Sequence, residues 1–116
     1  VSMKVVRDKS IQLSEMMIRL MQQESATLGF ELFSPRNADQ RGSQVSFAHK
    51  NGFSIMQALI SHGVVGDFRE PNILRFGISP LYMRYVDVWD AVICLRQIMQ
   101  TDEWQSEQFN QRSFVT

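Results

Sequence analysis

Between Pro71 and Pro80, the apolar residues Leu74, Phe76 and Ile78 alternate with Arg75 and Gly77. A period of two marks a strand with one buried face, so the apolar set predicts a core on one side and places Arg75 and Gly77 on the other. The two prolines fix the strand's ends, because neither serves a central hydrogen-bond ladder. Gly77 leaves room for a close approach to the backbone. An arginine held there has two readings. Its planar fork, charged in any environment, matches the two oxygens of a carboxylate. It also forms surface ion pairs that contribute little. Spacing alone favours the ion pair.

The rest of the chain reads as helix, strands, helix, strands, helix. Leu13, Met16, Met17, Leu20 and Met21 form one stripe of a long helix from about Val5 to Ala26, stopped by Gly29. Phe30–Ser34 and Gln44–Ala48 alternate as strands around a polar turn from Pro35 to Ser43. Asn51 suits a helix N-cap and Gly63 the residue past its end, with Phe53, Met56, Leu59 and Ile60 between them as the apolar stripe. Val64–Phe68 predicts the strand beside Leu74–Ile78. The last helix spans about Tyr85 to Met99, with Val88, Val92, Leu95 and Met99 facing inward. Asp87 and Asp90 suit the positive end of its dipole, although its first turn lacks an ordinary cap.

These elements predict an α+β domain over residues 1–100. Its sheet is small, mixed or antiparallel, of about four strands, with helices on one face and a long helix in front. The unit from Gln44 to Phe68 suggests a crossover between parallel strands. Residues 101–116 read as a polar tail docked in places through Trp104, Phe109 and Phe114.

Lys plus Arg and Asp plus Glu each number 12, which argues against a nucleic-acid footprint or a polybasic membrane segment. No apolar run reaches transmembrane length, and no signal peptide opens the chain. Cys94 is the single cysteine; it excludes an internal disulfide and points to a reducing compartment. It reads as a small core thiol, and His62 as a cap on the last carbonyls of its helix. Neither His49 nor His62 has partners at metal-ligand spacing. The methionines of the first helix read as core filling or a domain interface. No nucleophile, base and orienter assemble, so no catalytic residue is expected in these 116 residues.

Four segments in order resemble kynureninase. They are Lys9-Ser10; Ser34-Pro35-Arg36 with Arg41-Gly42-Ser43-Gln44-Val45-Ser46-Phe47; Ile55 to Leu59 with Gly63-Val64; and Gly66 to Tyr82 running into Val86–Val92. The resemblance implies the small C-terminal domain of a pyridoxal-phosphate enzyme of the aspartate-aminotransferase fold type, with a large cofactor-binding domain upstream. Such enzymes are cytoplasmic homodimers that cleave L-kynurenine or 3-hydroxykynurenine to L-alanine and anthranilate or 3-hydroxyanthranilate, in tryptophan catabolism and NAD biosynthesis. It further implies that Arg75 binds the substrate carboxylate, that Arg41, Gly42 and Ser43 have a structural or cleft-lining role with Gly77 a further candidate for the cleft, and that the cofactor lysine and phosphate cup lie elsewhere. The chain alone is then expected to bind no cofactor and to be inactive. Two other readings stay open: the small domain of another enzyme of this fold type, and an independent α+β interaction module.

Overall fold

The computed structural model describes residues 2–25, 27–37 and 44–110. Helix α1 spans Met3–Ser25, followed by strands β1 (Glu31–Leu32) and β2 (Gln44–Ala48) and helix α2 (Gly52–Ser61). Strands β3 (Gly66–Arg69) and β4 (Ile73–Gly77) form a hairpin, and helix α3 runs over Tyr85–Thr101. A 3-10 turn at Glu103–Gln105 and the short helix α4 (Glu107–Asn110) follow.

The sheet order is β1-β2-β4-β3 and every pairing is antiparallel. The expected parallel crossover is therefore corrected. β2 and β3 do run in the same direction, but β4 enters between them and separates the two. Local alternation says which residues share a face; it carries no information on which strand becomes the neighbour.

Leu74 and Phe76 of β4, Val45 and Phe47 of β2, and Ile78 just past β4 are buried against the helices. Leu13, Met17, Ile18, Leu20 and Met21 of α1, Ile55, Met56, Ala58 and Leu59 of α2, and Val88, Val92, Leu95 and Ile98 of α3 complete this single core. Burying one such side chain contributes about 1.5–3 kcal/mol. The methionine stripe of α1 is thus core filling, with Met16 half-buried beside it. Ile60, expected inside, is 43% exposed, because the buried face of α2 is centred on Ile55, Met56 and Leu59.

Gly63 adopts φ +88° past the end of α2, as its position predicts. The missing cap of α3 is supplied from within the helix. Asp87 reaches back and accepts the Arg84 backbone N–H at 2.8 Å. β1 is shorter than its alternation suggests, since the Phe33 and Ser34 N–H groups both donate to the Ser46 carbonyl, in the manner of a β-bulge. Beyond α3, Trp104 and the buried Phe109 pack on the core; Phe114 lies outside the described residues.

Candidate functional site

β4 is hydrogen-bonded on both sides, and Arg75 lies in its middle. The register places Arg75 between Ser46 of β2 and Asp67 of β3. These three side chains leave the sheet on the face opposite the helices, as the alternation requires. The Arg75 Nε donates to Asp67 Oδ1 and Nη2 to Oδ2, both at 2.6 Å. This is a bidentate pair along one edge of the guanidinium, with Arg75 23% and Asp67 54% exposed. Hydrogen bonding from Arg75 holds the Asp67 carboxyl below the usual carboxylate range; burial opposes it, and the charges of Arg75 and then Arg69 add to the lowering. The same hydrogen bond raises the Arg75 pKa. Among the described residues, Nη1 has no hydrogen-bond partner. One edge of the fork is committed and the other is open.

A groove of about 530 Å³ lies between α2, α3 and the end of β4, with Phe76, Gly77, Met83, Val88 and Cys94 among its lining residues. Arg75 does not line it. His62 does, and its Nε2 lies 2.8 Å from Glu103 Oε2. His62 does stand at the C-cap of α2, where its backbone N–H donates to the Leu59 carbonyl at 3.0 Å, but its side chain, expected to favour those carbonyls, pairs with the distant Glu103 instead. Cys94 is half-buried; burial, then the charge of Glu103, pushes its thiol pKa up. A thiol held protonated is a poor nucleophile. Among the described residues no group of histidine, cysteine and carboxylate side chains could hold a metal ion. No described helix is long and apolar enough to cross a membrane.

The described residues also do not build a pyridoxal-phosphate site. Such a site needs an enclosed lysine amine and a cradle of donors for the phosphate. Lys4 and Lys50 are exposed and Lys9 is half-buried on α1; none of them lines the groove beside α3, and Lys50, which borders a second groove of about 450 Å³ near His49 and Asn72, is exposed rather than enclosed.

The family model described as the kynureninase C-terminal domain matches residues 6–95. The chain belongs to this kynureninase C-terminal domain family. A kynureninase of Burkholderia mallei (strain SAVP1) is 49% identical over 114 residues, covering 98% of the chain, and one of Burkholderia pseudomallei (strain K96243) matches equally well. The kynureninase of Pseudomonas fluorescens is 45% identical over the same length. The chain spans 27% of the length of these curated relatives. Within this kynureninase domain, Gly77 borders the groove and a Cβ there would meet nothing within 4 Å, so the space expected above it is present. Arg41, Gly42 and Ser43 lie outside the described residues. Asp67 is the partner of Arg75 that the sequence reading missed. Its signal was available: Asp67 and Arg75 are equidistant from Pro71, so a symmetric hairpin about that proline pairs them.

Proposed function

We propose that this chain serves as the C-terminal domain of a kynureninase, a pyridoxal-phosphate-dependent hydrolase of tryptophan catabolism. The enzyme takes L-kynurenine or its 3-hydroxy form with one water and releases L-alanine and anthranilate or 3-hydroxyanthranilate, on the route to NAD. It works in the cytoplasm as a homodimer, and its cofactor is held by residues other than these 116. The part assigned here to the chain is recognition of the substrate α-carboxylate by Arg75. One observation carries this assignment: a guanidinium fixed on the central strand, on the helix-free face, with Nη1 directed to no described partner. Such a group meets a carboxylate through two parallel hydrogen bonds and sets the orientation of the whole amino acid. Gly77 keeps the neighbouring backbone accessible, and Arg41, Gly42 and Ser43 complete the cleft.

The test is Arg75→Ala against Arg75→Lys in the kynureninase that carries this chain. Alanine leaves the bound carboxylate unpaired and lowers kcat/KM by roughly a hundredfold or more. Lysine keeps the charge without the fork and retains part of the activity. Cofactor content stays unchanged in both. Wild-type kcat/KM in Arg75→Ala, or loss of cofactor with the fold intact, refutes the assignment.

A further inference from the structure

Asp67 occupies the edge of Arg75 that a carboxylate would otherwise take. We infer that Asp67 is a positioning residue that stays paired during binding, holding Arg75 along its Nε–Nη2 edge so that the Nη1–Nη2 end presents itself to the substrate carboxylate. This rests on the carboxylate role proposed for Arg75. Two observations favour retention of Asp67 over its displacement. First, Asp67 and Arg75 are direct cross-strand partners, so the backbone keeps the carboxylate within reach of the guanidinium at all times. A free carboxylate arriving from solution competes with this intramolecular partner at a disadvantage. Second, displacement is unnecessary. Guanidinium offers five N–H donors, and Asp67 accepts through only Nε and Nη2. The open end retains both Nη1 donors and the second Nη2 donor, a set that matches a carboxylate end-on.

The arrangement also explains why an exposed ion pair has such tight geometry. An unpaired arginine on an open sheet face samples many rotamers, and each must be given up when ligand binds. Pairing to a strand neighbour removes that freedom in advance, so the ligand meets a fork already in plane. The negative charge of Asp67 weakens the attraction for a second carboxylate in exchange for direction. Asp67 thereby favours a ligand whose carboxylate meets the Nη1–Nη2 end over one attracted by charge alone.

The experiment compares Asp67→Asn and Asp67→Ala with wild type in the kynureninase that carries this chain, using L-kynurenine and its decarboxylated analogue kynuramine as a competing ligand. Loss of the tether raises KM for L-kynurenine about tenfold in Asp67→Ala and less in Asp67→Asn, whose Oδ1 still accepts from Nε. The affinity for kynuramine, which has no carboxylate to orient, stays at the wild-type value in both. Equal weakening of both ligands, or an unchanged KM, overturns the inference. A second measurement separates it from the reading it rests on. In the 116-residue chain labelled with nitrogen-15, the Arg75 Nε–H resonance reports the Asp67 bond, and L-alanine is added as the carboxylate. Persistence of that resonance while the Nη signals shift supports a retained Asp67. Its loss on addition of L-alanine means displacement and overturns the role of Asp67 alone. No response at any Arg75 resonance, together with wild-type kinetics in Arg75→Ala, removes the carboxylate role and this inference together.

Discussion

Gly66 opens β3 directly beneath the carbonyl of Arg75. A Cβ built there would stand 2.6 Å from the Arg75 carbonyl oxygen and 3.1 Å from Met56 Cε, where ordinary contact begins at 3.4 Å. The Met56 end is flexible and turns away at little cost. The carbonyl belongs to the central strand, so Gly66→Ala must push β3 from β4 by several tenths of an ångström, at the pairing Gly66 makes with Phe76. Overpacking of this kind costs about 1–3 kcal/mol. For a domain of this size that lowers Tm by about 4–12 °C. Urea and thermal unfolding of Gly66→Ala read the loss, and a double-mutant cycle with Met56→Ala identifies its source. The cycle is expected to show little coupling, because the obstacle is backbone. A loss under about 0.5 kcal/mol, or full relief by Met56→Ala, refutes the reasoning.

Leu74, fully buried on β4, becomes a cavity in Leu74→Ala, and urea denaturation is expected to show a loss of about 2–5 kcal/mol. His49 is buried, with Nε2 2.9 Å from the Leu28 carbonyl and Nδ1 accepting the Asn51 N–H at 2.9 Å. Burial lowers its pKa below 6.5, more than the Leu28 bond raises it, and Lys50 lowers it further. The unfolded chain therefore takes up a proton that the native one refuses. This contribution to stability is complete above about pH 6.5 and is lost as pH falls from there through the folded value. Unfolding midpoints measured from about pH 7 to about pH 5 should decline, and His49→Gln should flatten that part of the decline; an unchanged slope rejects the attribution. Mixed with pyridoxal phosphate and dialysed, the 116-residue chain is expected to retain no visible aldimine band and to turn over no kynurenine, because none of its described lysines sits in a phosphate-binding enclosure. A stoichiometric band argues for a site within the chain.

Much of this architecture was legible because it is written in local periodicity. Leu74, Phe76 and Ile78 announced both their strand and the outward course of Arg75, and Gly63 marked the end of α2 by being the residue that tolerates positive φ. What escaped was non-local. The insertion of β4 between β2 and β3 depends on pairing energies summed over the whole sheet, which no single segment displays. Ile60 satisfies a helical stripe, yet the rotation of α2 on the sheet is set by Ile55 and Leu59, and Ile60 turns toward solvent. The cap of α3 was hidden because Arg84 is no usual capping residue; the stabilising group is Asp87, one turn in. At the candidate site, spacing alone favoured an ion pair for Arg75, and Arg75 does form one, whereas naming its partner Asp67 required the register of a hairpin that alternation alone leaves undetermined.

The central place of β4 bears on how the site can move. Strands fray from the edges of a sheet, and the ladders on both sides of β4 must open before its backbone is released. The amide protons of Leu74, Arg75 and Phe76 should accordingly exchange with solvent only when the whole domain unfolds. The Arg75 backbone then has no private motion short of that unfolding. If the distance between this arginine and a ligand changes on binding, the sheet and its helices travel together as one rigid body, and the hinge for that travel is to be sought elsewhere than in the strand that bears the charge.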